Sequence, residues 1–184
     1  RIGAMAKQLG LGQSYKLPLT GISKGFVPTK KWKKERFGTS WLVGDTLNIG
    51  IGQGFSLATP LQLAVMTARI ASGREVMPNL IRNTEKELDK MKALSIRQET
   101  LAAIKKGMYD VVNEKKGTAF NFRSTHENFL IAGKTGTSQV RRITREERES
   151  GVIKNEDLPW KMRDHALFTC FAPYRNPKYA LSVV

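Results

Sequence analysis

The residues best suited to chemistry form one short stretch, Ile131–Ser138, with the sequence IAGKTGTS. An apolar lead-in runs into a lysine, two threonines and glycines, which is typical of a buried strand that turns polar where it surfaces. Lys134 can supply a fixed positive charge for a carboxylate. Alternation along a strand puts Lys134 and Gly136 on one face and Thr135 and Thr137 on the other. We predict this strand over about residues 129–140.

Gly136 carries no side chain, so a ligand or another backbone could come close to the strand there. If the strand lies at a sheet edge, its open backbone groups could pair with an extended, peptide-like ligand. A backbone N–H at that edge could also face a developing oxyanion. A buried strand that contains Lys-Thr-Gly by chance explains the motif equally well when the motif is taken alone.

Composition bounds the remaining possibilities. The chain has 184 residues, of which 40% are hydrophobic, so it can form one domain or a large part of one. No apolar run approaches the roughly 20 residues of a membrane span, and we expect no signal peptide within these residues. The chain begins without Met and ends inside the apolar run 179–184, so we interpret it as a piece of a longer protein.

The net charge of +15 favours anionic partners, although plain solubility explains it as well. Lys30–Phe37 (KKWKKERF) is the densest basic run, with aromatic residues interleaved. Nucleic-acid contact is one interpretation and a solvated surface is the commoner one. The chain contains no recognisable nucleic-acid motif, so we expect no nucleic-acid partner. Binding of DNA with a steep salt dependence would support the alternative.

Residues that bind metals are sparse. Cys170 is the single cysteine and lies in an apolar run, so we expect a buried structural thiol. His126 and His165 are far apart and show no ligand spacing. We therefore predict neither a metal site nor a cofactor.

Two helices are predicted from capping signals. Thr59-Pro60-Leu61-Gln62 combines a capping box with proline at the first helical position, and the helix should cover residues 60–72. Its apolar residues occur almost all round, which predicts a buried, central helix. A second capping box, Ser95 with Gln98, precedes an amphipathic helix predicted over residues 97–112.

The other segments are assigned more coarsely. Residues 1–9 have helical spacing, Met77–Ile81 could be a short strand, and the charged residues that follow could be a surface excursion. The glycines of Gly44–Gly54 suggest a tight backbone approach, and they do not fit a dinucleotide fingerprint. Residues 141–163 are expected to form a long, charged surface loop that is partly helical or mobile. Residues 165–184 contain two hairpin strands, which predicts an antiparallel sheet covered by the two helices, an α+β fold.

These motifs together resemble the C-terminal part of the transpeptidase domain of class B penicillin-binding proteins. The similarity covers nearly the whole chain and is carried by four motifs in order: Gly50-Ile51-Gly52-Gln53-Gly54, Thr59-Pro60-Leu61-Gln62-Leu63-Ala64, Gly117-Thr118-Ala119 and Lys134-Thr135-Gly136-Thr137. Three further segments favour the penicillin-binding protein 2 subfamily, which acts in elongation, over the division-specific paralogues: Pro28–Phe37, Arg163-Asp164-His165 and Phe171–Pro177.

The resemblance implies the penicillin-binding/β-lactamase-like transpeptidase fold and a D,D-transpeptidase activity. In the family an active-site serine attacks the D-Ala-D-Ala end of a peptidoglycan stem peptide, and β-lactams trap the acyl-enzyme. By the family pattern Lys134 supports the positive field of the site, and Thr135, Gly136 and Thr137 belong to the substrate-binding strand. Thr137 would contact the substrate carboxylate, and its backbone N–H would form half of the oxyanion hole.

The sequence departs from the family pattern in one respect. It contains no Ser-x-x-Lys and no Ser-x-Asn, which in the family precede the Lys-Thr-Gly strand. We therefore expect the nucleophile and its lysine to lie before Arg1, and the fragment alone to be inactive. The resemblance further implies a parent anchored in the bacterial inner membrane by an N-terminal helix, facing the periplasm beside a membrane glycosyltransferase of the elongation machinery.

Two further functional alternatives are open from the sequence. A penicillin-binding-like sensor domain would keep the fold and lack catalysis. A nucleotide-binding P-loop around Gly133-Lys134-Thr135 would need a glycine five residues earlier, and that position is Asn128. The P-loop interpretation therefore fails.

Overall fold

A computed structural model describes residues 2–81, 90–141 and 143–184. Its helices and strands, in chain order, are α1 (Ile2–Gln8), α2 (Lys30–Phe37), α3 (Val43–Gly50), α4 (Pro60–Ser72), α5 (Gln98–Asn113), β1 (Ala132–Ser138), α6 (Arg145–Ser150), β2 (His165–Ala172) and β3 (Tyr179–Val183). Among these residues, no helix is both long enough and apolar enough to cross a membrane.

The three strands form one antiparallel sheet in the order β1-β2-β3. Ala132 pairs with Phe171, and Ser138 pairs with His165 at the other end of β1. The α4 helix packs against β3 and β2, and α5 packs against β1. The core between helices and sheet contains Ile70, Ala71, Met108, Ala132 and Phe171. The predicted antiparallel sheet covered by two helices is therefore confirmed.

The α4 helix begins and is buried as its sequence predicts. The Thr59 hydroxyl accepts from Gln62 N, and the Gln62 side chain accepts from Thr59 N, so the capping box is complete. Residues 61–71 are all buried or half-buried, which confirms the predicted buried helix, and the most deeply buried residues of α4 include the polar Gln62, Thr67 and Arg69. Hydrogen bonds satisfy each of them, which is what burial of a polar group requires.

The α5 helix begins later than its predicted cap. Arg97 is the N-cap, without a side-chain hydrogen bond, and the Ser95–Gln98 capping box is absent. The preceding residues are held elsewhere, because Leu94 N donates to Gly73 O and Ala93 forms a β-bridge with Arg74. The chain bends at Ser95 and Ile96, and the helix starts only after Arg97.

The predicted strand at Met77–Ile81 does not form. The Val76 carbonyl accepts from Arg69 Nε at 3.0 Å, and the Met77 sulfur lies 3.2 Å from Arg69 Nη2. A side chain of α4 thus binds the carbonyl just before this segment and the Met77 side chain. Most of the charged surface excursion predicted after it, residues 82–89, lies outside the described residues.

The basic run Lys30–Phe37 is the helix α2, and its aromatic residues serve packing. Trp32 and Phe37 form a cluster with Phe26 and Phe55, with ring centroids 4.6 to 5.5 Å apart. Lys33 is only 8% exposed and forms an ion pair with Asp45. Its hydrogen bond holds the pKa of the Asp45 carboxyl below its usual value. The interleaved aromatics are therefore explained without nucleic acid.

Of the glycines in residues 44–54, Gly44 and Gly50 lie within α3 and Gly52 and Gly54 follow it, and the predicted tight backbone approach is wrong. A Cβ added at Gly44, Gly50 or Gly52 would have no atom within 4 Å. Gly52 and Gly54 have φ of 76° and 83°, which glycine adopts at little cost, so they end α3 in a turn.

The segment between β1 and β2 contains regular structure. Besides α6, it has two 3-10 turns, Asn155–Asp157 and Trp160–Met162. Arg141 donates two hydrogen bonds to Glu147 at 2.6 and 2.7 Å, and this contact lowers the pKa of the Glu147 carboxyl. The segment is charged and exposed, and of the two alternatives the structure shows the partly helical one.

Candidate functional site

The Lys-Thr-Gly motif lies on β1, which is shorter than predicted. The strand covers Ala132–Ser138, whereas Glu127–Phe129 form a 3-10 turn. The Ile131 carbonyl accepts from Asn113 Nδ2 at 2.9 Å and is thereby bonded to the last turn of α5. Sheet pairing therefore begins only at Ala132, and the predicted strand over 129–140 is too long at both ends.

Within the described residues β1 pairs with β2 on one side and with no strand on the other. In an antiparallel edge strand, the N–H and C=O groups of alternate residues point away from the sheet. Lys134, Gly136, Thr137 and Ser138 are also exposed. The edge can therefore receive an extended peptide by adding a strand.

Lys134 and Thr135 come together although their side chains start on opposite faces of β1. The Lys134 ammonium donates to Thr135 O at 2.8 Å and lies 3.4 Å from Thr135 Oγ1. Both acceptors are neutral. In the described part of the chain, no carboxylate lies within 4 Å of Lys134 Nζ. Its positive charge is therefore uncompensated at the open edge, which suits an anionic ligand.

Thr118 is a member of the site that the sequence reasoning did not assign a role. Its hydroxyl oxygen lies 2.8 Å from Thr135 Oγ1, so the two hydroxyls are hydrogen-bonded. Thr118 lies in the loop after α5, and this loop reaches β1 because it packs on the end of that helix. A Cβ on Gly117 would lie 2.3 Å from Val111 O, and Ala119 N donates to the same carbonyl at 3.0 Å. The glycine directly before Thr118 is the signal that could have found it.

The two glycines of β1, Gly133 and Gly136, differ in how much space the fold leaves for a side chain. A Cβ on Gly133 would lie 2.6 Å from Phe168 Cζ and 2.8 Å from Thr169 O, so packing alone requires glycine there. A Cβ on Gly136 would meet Leu167 at 3.4 Å, an ordinary contact. The fold therefore tolerates a side chain at Gly136, and a role in ligand approach stays a prediction.

The second half of the motif borders a cavity of about 520 Å³ between β1 and the start of α4. Thr137 and Ser138 line it together with His165, Leu167 and Pro60. Lys134 and Thr135 do not line it. Another cavity, of about 580 Å³, is lined by α1, by the residues at the start of α2 and by α3, and no residue of the motif lines it. The motif thus has two halves. Lys134 and Thr135 form the charged half, and Thr137 and Ser138 form the half that faces the cavity.

Cys170 lies behind the motif and takes no part in its exposed chemistry. It is buried, pairs with Gly133 across the sheet, and burial raises the pKa of its thiol. In the described part of the chain, no group of three or more His, Cys, Asp or Glu side chains is placed to hold a metal ion.

Comparison with known proteins agrees with this arrangement. A family model described as penicillin binding protein transpeptidase domain matches residues 1–184. The chain is 32% identical over 194 residues to the peptidoglycan D,D-transpeptidase MrdA of Salmonella typhimurium and 33% identical over 193 residues to that of Haemophilus influenzae. Both alignments cover 100% of this chain but only 30% and 29% of the relatives, so the chain spans less than a third of their length.

Two solved structures give the same relationship in three dimensions. The penicillin-binding protein PBP2 of Helicobacter pylori, solved in complex with MreC, matches with a TM-score of 0.77 and 35% identity, over 98% of this chain and 31% of that one. PBP2 of Pseudomonas aeruginosa, in complex with WCK 5153, matches with a TM-score of 0.74 and 32% identity, over 98% and 37%. The chain therefore belongs to the penicillin-binding protein transpeptidase domain family.

Proposed function

We propose that this chain is the C-terminal part of one transpeptidase domain, and that the protein containing it is a peptidoglycan D,D-transpeptidase of cell-wall elongation. The observation that carries the proposal is the Lys134–Thr137 strand, exposed at an open sheet edge with an uncompensated ammonium. The relatives named as peptidoglycan D,D-transpeptidases support the same activity.

The residues of this chain would act on the donor peptide as follows. The edge of β1 pairs with the extended stem peptide, and its terminal carboxylate lies near Lys134, Thr135 and Thr137, which supply a charge and two hydroxyl donors. The backbone N–H of Thr137 stabilises the oxyanion that forms at the penultimate D-Ala carbonyl. Gly136 keeps the approach to the backbone open.

The covalent step needs a serine and a lysine base, which the family supplies from residues that precede this chain's motifs. The serine oxygen bonds to the carbonyl carbon of the penultimate D-Ala while its proton goes to the base. The amide bond then breaks, and the terminal D-Ala leaves as a free amino acid with a proton on its amine. An amine of a neighbouring stem peptide displaces the serine, gives up a proton and forms the cross-link. A β-lactam carbonyl is attacked in the same way, and the opened ring stays on the serine.

The setting of the protein is part of the same proposal. Its substrate lies outside the cytoplasm, so the site would act on the periplasmic face of the inner membrane, with the protein anchored by a helix that precedes this chain. Elongation proteins, including a membrane glycosyltransferase, would be its partners. The relative from Helicobacter pylori was solved with MreC, which supports a partner of that kind.

Labelling with a fluorescent penicillin tests the activity. We expect covalent labelling of the full-length protein and none of the 184-residue chain alone, because the nucleophile would be missing. A folded full-length protein that takes no label would contradict the proposal and favour the sensor-domain alternative. Labelling of the short chain would contradict the assignment of the nucleophile to a preceding segment.

A further inference from the structure

The hydrogen bond between Thr118 and Thr135 raises the question of which hydroxyl donates. Each threonine has one hydroxyl proton and can accept as well, and the two oxygens lie 2.8 Å apart. The Lys134 ammonium can only donate, and it lies 3.4 Å from Thr135 Oγ1. Thr135 Oγ1 is therefore placed to accept from two neighbours.

The direction of the bond decides what Thr135 can offer to a ligand. If Thr135 donates to Thr118, its proton is used inside the protein and it can only accept. If Thr118 donates, the Thr135 proton is free to point out of the edge. Donors on its oxygen also polarise the Thr135 hydroxyl and strengthen its own donation. An anion beside the uncompensated Lys134 ammonium favours this second direction, since a carboxylate only accepts.

We propose that Thr118 is a positioning residue whose hydroxyl donates to the Thr135 hydroxyl and so leaves the Thr135 proton for the anionic group of the bound substrate. The ligand class is an extended peptide, or its mimic, that ends in a carboxylate. This assignment rests on the function proposed above.

The surrounding structure is built to hold Thr118 in this place. Gly117 N donates to Glu114 O at 2.8 Å, and Gly117 packs directly on the carbonyls of the last turns of α5. Ala119 is 4% exposed, so both neighbours of Thr118 are fixed against α5. Asn113 joins the same helix end to the Ile131 carbonyl, just before β1. One helix terminus therefore sets the distance between the loop and the strand.

The decisive experiment compares ligands with and without the anion in the full-length protein. Acylation rate constants are measured for benzylpenicillin and for its methyl ester, in the wild type and in Thr118→Val, Thr118→Ser and Thr125→Val. We expect Thr118→Val to slow the acid about fivefold to tenfold relative to the ester, the worth of one hydrogen bond. Thr118→Ser keeps the donor and should stay within about twofold of the wild type. The exposed Thr125 is the matched control, and its variant should behave as the wild type.

Three results would overturn the role of Thr118: an unchanged rate in Thr118→Val, an equal loss for acid and ester, or no rescue by Thr118→Ser. An equal loss would indicate that Thr118 only supports the fold. If the wild type is acylated by neither ligand, the proposed function fails by itself. Binding of acetyl-D-alanyl-D-alanine and of its C-terminal amide, followed by NMR, then decides the matter. Weaker binding of the acid alone in Thr118→Val supports the proposal, and no binding or equal binding overturns it.

Discussion

The Gln62 side-chain amide donates to the backbone carbonyl of Lys24 at 2.8 Å, although 38 residues separate them. The same amide donates to Gln13 O at 2.8 Å, and the side-chain oxygen accepts from Thr59 N. Gln62 is 0% exposed. One polar side chain at the start of α4 therefore joins two distant loops to the helix beneath the sheet.

Replacing Gln62 by leucine should destabilise the protein by about 3 kcal/mol, because it leaves buried backbone groups without partners. Urea unfolding followed by tryptophan fluorescence measures the free energy of unfolding. Gln98, exposed at the start of α5, provides the control, and its leucine variant should change stability by less than about 0.5 kcal/mol. Equal effects of the two changes would refute the role of Gln62.

Replacing Gly117, which follows α5, and Gly107, which lies inside it, by alanine should change the stability of the protein in opposite directions. Gly117→Ala places a Cβ against the Val111 carbonyl, and we expect a loss of about 2 kcal/mol from overpacking. Gly107 lies inside the helix with no atom near its missing Cβ, so Gly107→Ala should gain about 0.5–1 kcal/mol from helix propensity. Thermal unfolding of both variants checks this, and a stable Gly117→Ala protein would contradict the packing described.

Asp45 should make stability depend on pH in acid. The Lys33 hydrogen bond lowers the pKa of this carboxyl in the folded protein below its value in the unfolded chain. The stabilisation is therefore complete above the unfolded pKa of about 4, and it is lost as pH falls through the lower folded pKa. We expect the difference in urea midpoint between wild type and Asp45→Asn to be constant from pH 6 to 5 and to shrink below about pH 4. A difference that grows in acid would show that the sign is wrong.

Lys134 should matter for ligand capture and not for folding. Lys134→Met removes the uncompensated charge at the edge of β1, and we expect acylation of the full-length protein by benzylpenicillin to slow about a hundredfold. Unfolding temperature should stay unchanged, because Lys134 is exposed and forms no ion pair within the described residues. Lys178→Met, also an exposed lysine, is the control. Similar rates for both variants would remove Lys134 from the site.

Local signals in the sequence predicted the elements that carry the site. The Thr59–Gln62 capping box placed the start of α4, and the apolar runs at 165–184 predicted a hairpin that the structure confirms. These features depend on residues within a few positions of one another, so the sequence contains them directly.

The errors arose where distant residues decide the structure. The Ile131 carbonyl bonds to Asn113 and not to a strand, which shortens β1. Arg69 binds the Val76 carbonyl, which directly precedes residues 77–81, where the predicted strand does not form. Thr118 gains its significance only from Thr135, 17 residues away. Hydrogen bonds between remote parts of the chain leave no periodic pattern, and local propensity cannot reveal them.

The open edge of β1 has a consequence for self-association. An unpaired strand edge can add a strand from any chain, including a second copy of the same protein, and such pairing leads to aggregation. Two copies paired antiparallel with Lys134 opposite its own counterpart would bring two ammonium groups close together, and the like charges would repel. A peptide that ends in a carboxylate neutralises the same charge. Lys134 would therefore disfavour this pairing with a second copy and favour a strand that carries a carboxylate.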